Sequence, residues 1–322
     1  MSEHAVLGRV GTTRIIGLPT LLRTLVFVCF AVMVGTGCAG SQPQLLASAP
    51  ATLEPAQTIP RDLDFVVRAD LRRLRAAIPG PIFDVLSSLV LEHFHLQEFR
   101  EPFQQAQVVW LGLRPNPEID ATRGVESDYV LVMVGEFSPV QEQAWTAAFF
   151  TPRDLGGSYF RYEARDDTRR FHAARVYEAV GQRMIIASAV EVDAVERLIE
   201  QQDLPLRQSV PTERGAISLS AEPLHLARAI EERLPRAASF FAESTEMTCF
   251  VDLTAEQVEV NFSLRFLTES DALRAEQALS IVAGAVSDVV KLDEALKYKA
   301  TSDTLRVTVQ LGLKDAMSWL GM

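Results

Sequence analysis

Two stretches near the C-terminal end constrain the fold most. Val258, Val260, Phe262, Leu264 and Phe266 are apolar, while Glu259, Asn261, Ser263 and Arg265 between them are polar. Leu305, Val307, Val309 and Leu311 repeat the split against Arg306, Thr308 and Gln310. Successive side chains of a strand point to opposite faces, so this period of two predicts strands with one buried face and one wet face. Two earlier stretches differ. Val108-Val109-Trp110-Leu111 and Tyr129-Val130-Leu131-Val132-Met133-Val134 are apolar at every position. That pattern predicts a sheet covered on both sides. The cover could come from the other part of the chain, from a helical segment at 82–99, or from a partner.

The remaining elements fall around these strands. Phe65, Val67 and Ala69 alternate with Val66, Arg68 and Asp70, which predicts a strand. Leu71, Leu74, Ala77 and Ile78 follow at helical spacing, and Phe83, Leu86, Val90 and Phe94 form a second apolar stripe. Strands are expected at 107–113 and 128–134, with a long connection, Arg114 to Ser127, between them. Ser138, Pro139 and Gln141 have the form of a capping box opening a helix. Strands near 158–164, 170–178 and 183–188 and a helix from Val190 to Gln201 complete a first unit. Pro205 and Pro211 bracket a linker. A shift of 152 residues then pairs Phe65 with Ile217, Val67 with Leu219, Ala69 with Ala221, Asp70 with Glu222, Leu74 with Leu226 and Ile78 with Ile230. A hairpin (247–254 with 258–266), a helix capped by Thr268 and Asp271, a strand at 304–311 and a last short helix from Lys314 finish the second unit, which lacks one strand of the first. The expected class is α+β. Two units related by duplication, 61–205 and 206–322, each carry a mainly antiparallel sheet with helices packed on one face.

The N-terminal stretch carries a different kind of information. Arg9, Arg14 and Arg23 precede an apolar run from Leu25 to Val34, followed by Gly35-Thr36-Gly37 and Cys38. A positive lead, a short apolar core and a small-residue exit are the parts of a secretory signal peptide. The run is too short to span a bilayer, which needs roughly 20 apolar residues. Residues 35–38 resemble the lipobox of bacterial lipoproteins. Thr36 and Gly37 match it, while Gly35 stands where Leu is usual and Val34 supplies the bulk one place earlier. The resemblance implies that residues 1–37 are removed, that Cys38 becomes the first mature residue, and that it carries acyl chains. With Ala39 after the cysteine, it also implies the outer membrane of the cell envelope, on the periplasmic side. Residues 38–60, rich in Ala, Pro, Gln and Ser, have the composition of a flexible tether.

Charge and cysteine content narrow the remaining possibilities. The net charge is −11, and the leader holds three Arg and one Glu, so the mature chain is near −13. Such a chain is not steered to nucleic acid or to anionic lipid. Cys29 leaves with the signal and Cys38 is acylated on the lipobox reading, so Cys249 is left without a disulfide partner. Its neighbours in TCFVDL suggest a small core residue.

No residue pattern announces catalysis or a cofactor. G-x-S-x-G, phosphate-loop, G-x-G-x-x-G, H-E-x-x-H and C-x-x-C motifs are all absent from the sequence. His93 and His95 would point about 200 degrees apart on a helix, which is wrong for shared metal ligation. His172 and His225 stand alone. Asp62 and Asp64 suit a turn and the start of a strand, and Asp70 and Glu222 suit helix N-termini. Arg68, Arg72, Arg73 and Arg75 form the one basic cluster, suited to an acidic partner, to a phosphate-bearing glycolipid or to a solvated helix face. Tyr159, Phe160, Tyr162, Phe171 and Tyr177 suit cross-strand packing first and a ligand or protein surface second. These features together lead to the expectation of a non-enzymatic, membrane-anchored envelope lipoprotein with a binding, assembly or scaffolding role and an envelope protein as partner. The alternatives are an envelope hydrolase with a site between the units, using Asp64, Asp70 or His172, and a carrier of an apolar ligand.

Overall fold

The computed structural model describes residues 54–93, 96–114, 128–137, 150–154, 159–164, 175–179, 183–188, 190–199, 211, 213–224, 227, 241–254, 256–287 and 296–312. Twelve strands form one sheet in the order β11-β12-β10-β9-β8-β1-β2-β3-β7-β6-β5-β4. They are β1 (Phe65–Asp70), β2 (Ala106–Arg114), β3 (Asp128–Gly135), β4 (Phe150–Asp154), β5 (Tyr159–Ala164), β6 (Arg175–Ala179), β7 (Arg183–Ala187), β8 (Ile217–Ala221), β9 (Ser244–Leu253), β10 (Gln257–Phe266), β11 (Leu296–Thr301) and β12 (Thr304–Gly312). Every pairing is antiparallel. The helices are α1 (Leu71–Ala77), α2 (Gly80–His93), α3 (Arg100–Gln105), α4 (Val192–Ile199) and α5 (Glu269–Ser287). No helix among the described residues is long and apolar enough to cross a membrane.

The α+β class with a large antiparallel sheet agrees with the sequence, but the two stretches read as units share that sheet. β1 pairs with β8 across the middle. Phe65 faces Ala221, Val67 faces Leu219 and Ala69 faces Ile217, so the pair Val67/Leu219 lies at the centre of the seam. Outward from it, β1-β2-β3-β7-β6 and β8-β9-β10-β12-β11 run in the same order, and the first side continues into β5 and β4. Among the described residues the difference is therefore two strands, where the sequence pattern suggests one. β4 is a strand beyond those expected: Pro152 inside it argues against a strand, but an edge strand tolerates proline, since its outer N–H groups have no ladder to join. β11 is a further strand beyond those expected, and in it Leu296, Tyr298 and Ala300 alternate with Lys297, Lys299 and Thr301.

The expectation of helices on one face needs correction for the first half of the sheet. The inner face carries the larger core: Val67 and Ala69 of β1, Val109 and Leu111 of β2, Leu131 and Met133 of β3, and Met184 and Ile186 of β7 pack with Leu71, Leu74, Phe83, Leu91 and Phe103 from α1, α2 and α3. The same core continues under β9, β10 and β12, where Ala272 and Ala275 of α5 close it. A second core lies on the outer face. Val66, Trp110, Val130, Val132, Ile185 and Ala187 pack against Val192 and Val195 of α4 and against Ile59 and Leu63. The solidly apolar strands β2 and β3 demand this cover, because either face left bare would expose large aliphatic side chains to water. Residues 54–60, within the stretch whose composition suggests a tether, are part of the folded body. Pro55–Thr58 form a 3-10 turn, and Ile59 and Leu63 are buried.

Local signals explain several boundaries. Asp70 caps α1, its side chain accepting from the backbone N–H of Arg73 at 3.2 Å. Thr268 Oγ1 accepts from the Asp271 N–H at 3.2 Å and opens α5. The helix expected at 82–99 ends earlier: α2 stops at His93, and a 3-10 turn at Gln97–Phe99 leads into α3. The capping box at Ser138 and the linker between Pro205 and Pro211 fall mostly or wholly outside the described residues.

Candidate functional site

Charged side chains gather at opposite ends of β1. At its C-terminal end lies Asp70, 5% exposed, with Arg68, 6% exposed, two residues earlier on the same face. Asp70 is 3.7 Å from Arg68, 3.6 Å from Arg72 and 3.8 Å from Arg73. Arg73 also donates through Nη1 to the carbonyl of Gly215 at 3.3 Å, reaching across the seam to the start of β8. Gly215 has a φ of 73°, and a Cβ there would lie 2.6 Å from the carbonyl oxygen of Val251, so only glycine fits this crossing. The Arg68 guanidinium stands 5.9 Å from the ring centroid of Trp110. Its Nη1 has no acceptor among the described residues. Burial lowers the Arg68 pKa, opposed by the negative charges of Asp70 and Glu213. Arg75 turns elsewhere, donating to the Gln104 carbonyl at 2.8 Å and lying 5.8 Å from the Phe83 ring centroid. The basic cluster of the sequence is thus spent largely on capping and on the seam.

At the N-terminal end a second group forms around Arg114, the last residue of β2. Arg114 Nη2 donates to Asp62 Oδ2 at 2.6 Å and to the Asp62 carbonyl at 3.2 Å, and Nε reaches the same carbonyl at 3.4 Å. Nη1 donates to Glu191 Oε1 at 3.0 Å and to Asp128 Oδ2 at 3.4 Å. Asp128 faces Arg114 across the β2–β3 ladder. The Glu191 side chain is only 3% exposed. Burial raises the Glu191 pKa; Arg114 opposes this, and the charges of Asp62 and Asp128 add to the rise. One guanidinium thus ties the entry to β1, the start of β3 and the lead into α4.

A raised carboxylate beside other carboxylates is the kind of group that can move a proton. Here, however, the guanidinium fills the centre of the group. Among the described residues no set of three or more His, Cys, Asp or Glu is placed to hold a metal. Asp64 and Asp70, the carboxylates of the hydrolase alternative, sit at opposite ends of β1, about 20 Å apart at roughly 3.3 Å per residue. They cannot flank one substrate bond. Cys38, Phe94, His95, Phe171, His172 and His225 lie outside the described residues, as do the side chains of His93, Tyr159, Phe160, Tyr162 and Tyr177. Cys249 is buried in the inner core. The backbone N–H of Glu222 donates to the Asp64 carbonyl at 3.1 Å, tying the end of β8 to the start of β1.

The Arg114 group was not singled out from the sequence. Its one available signal is a Glu between two valines, Val190-Glu191-Val192, where the chain enters an amphipathic helix.

No protein-family model matches the chain, and no curated protein matches it. Among solved structures, the chain is similar to TP0453. Its crystal form I matches with a TM-score of 0.51 at 11% identity, covering 84% of this chain and 98% of that one. Crystal form III matches with a TM-score of 0.50 at 11% identity, covering 85% and 100%. At this identity the likeness is one of fold, and it spans nearly the whole of the other chain.

Proposed function

We propose that this protein is a lipid-anchored protein of the bacterial cell envelope, held through Cys38, whose folded part serves binding, assembly or scaffolding and not catalysis. The observation that carries the reading is the N-terminal pattern: three arginines, an apolar run from Leu25 to Val34, and Gly35-Thr36-Gly37 before Cys38. Two or more acyl chains on one cysteine give stable anchoring where a single chain is marginal. The arrangement of the described charges supports a non-catalytic body, since Asp70 is engaged in a cap and Arg114 fills the centre of its carboxylate group. The matching strand orders on the two sides of the β1–β8 seam support a shared origin of the two halves by duplication. An experimental structure in which the two sets of five strands fail to superpose would overturn that origin.

The role is tested by crosslinking in native envelopes, pull-down and mass spectrometry, with Cys38→Ala as control. The expected result is an acylated N-terminal peptide and an envelope protein partner that is lost in the control. An unmodified Cys38 in the mature chain would overturn the anchor. Hydrolysis of an envelope polymer by the purified, folded chain would overturn the non-catalytic reading.

A further inference from the structure

Residues 54–63 are built like a strap. Backbone bonds close turns inside the segment, from Gln57 to Glu54, Ile59 to Ala56 and Leu63 to Pro60, and no strand ladder among the described residues includes it. A capping box between Glu54 and Gln57, and a bond from Thr58 Oγ1 to the Pro55 carbonyl at 2.7 Å, make the turn self-contained. Side chains seat the strap on the body, and the Asp62 carbonyl accepts from Arg114 at its end. Ile59 and Leu63 enter the outer core, and the turn lies against β3 and α4. Beneath them is Gly112 of β2, where a Cβ would lie 2.5 Å from Leu63 Cδ1 and 2.7 Å from Ile59 Cγ2. The strap therefore occupies a notch that exists only because residue 112 lacks a side chain. Two residues further along the same strand face, Arg114 clips the end of the strap through Asp62.

We infer that residues 54–63 are a releasable strap, seated over the Gly112 notch, between the N-terminal anchor and the folded body. Docked, it holds Glu54, 16 positions after Cys38, against the folded body. Released, it frees the chain back to Asp64 and extends its greatest reach by about 33–36 Å. Release is separable because no strand pairing among the described residues includes the strap. The membrane consequence rests on the lipid anchor proposed above; the strap itself does not.

Limited trypsin digestion of the full, detergent-extracted chain tests the inference, because cleavage after the strap residue Arg61 needs the surrounding backbone to lift away. Gly112→Val, which fills the notch, is expected to speed cleavage after Arg61 at least tenfold while amide exchange in β8–β12 stays at the wild-type level. Arg114→Met, which removes the clip and leaves the notch, is expected to give a smaller acceleration of the same cleavage. Unchanged cleavage in both variants would overturn the inference. So would acceleration only together with lost exchange protection across β1–β3, since the strap would then be an inseparable part of the core. Flotation of the same preparations with phosphatidylethanolamine–phosphatidylglycerol vesicles reads the anchor separately: loss of flotation overturns the anchor and leaves the cleavage result standing.

Discussion

The two sides of the sheet solve one problem differently. Around β1, β2, β3 and β7 both faces are dry, with helices α1 to α3 on one and α4 with the strap on the other. Around β9, β10 and β12 only the inner face is dry, and the outer face is a polar ladder. There Glu259 accepts from Asn261 Nδ2 at 2.7 Å and Gln310 Nε2 at 2.8 Å, and Thr308 donates to Asn261 at 2.9 Å. The same strand order thus supports two coverings, and residue chemistry on the outer face decides which one a given side carries. Charge placement follows. Carboxylates such as Glu191 are enclosed on the first side, and Glu259 is left near water on the second.

The sharpest test of this contrast places one charge on each outer face. Val132→Asp puts a carboxylate into the outer core of the first side and is expected to cost about 4–5 kcal/mol, read from the denaturant midpoint. Arg306→Asp on the exposed ladder of the second side should stay within about 0.5 kcal/mol. Equal costs would mean that the second outer face is also enclosed. Next comes the seam. Asp70→Ala removes the α1 cap and the nearest counter-charge of buried Arg68, an expected loss of about 3–4 kcal/mol. Asp70→Asn, which keeps a capping oxygen but not the charge, should recover part of that loss.

The two glutamates should show opposite pH slopes. Burial raises the Glu191 pKa, so its ionised form weighs against the folded state above that pKa, and this penalty fades as pH falls toward the ordinary carboxylate value. The stability of the wild type relative to Glu191→Gln should therefore improve on acidification from neutral pH; a flat difference would show that Arg114 fully compensates the burial. Hydrogen bonds from Asn261 and Gln310 lower the Glu259 pKa, so its contribution is present above the ordinary value and is lost as pH falls through the folded one. Relative to Glu259→Gln, the wild type should lose stability on acidification. Glu259 lies near water, which limits the effect to a few tenths of a kcal/mol.

Patterns with a period were legible in the sequence. Val258 to Phe266, Leu305 to Leu311 and the solid runs in β2 and β3 announce their strands and how many faces each must bury. Asp70 and Thr268 announce their helices. The 152-residue offset that aligns Val67 with Leu219 is also visible, because it compares local patterns. Contacts between distant residues were not legible. Nothing in Asp62, Arg114, Asp128 and Glu191 marks them as one group, since the nearest pair is 14 positions apart and the furthest is 129. Asp64 and Asp70 are neighbours on paper, but an extended strand carries them to opposite ends of the fold.

The sequence by itself determined the antiparallel strands, the number of faces each must bury, and the caps that start α1 and α5, because these depend on side chains a few positions apart. Tertiary structure decided that β1 and β8 join the two halves into one sheet. It decided that α4 and the strap cover the outer face of the first side, and that Gly112 forms the notch beneath the strap. Those outcomes depend on which apolar surface finds which, and burial is non-directional: it states how much must be covered and leaves the choice of cover to the packing of the whole chain.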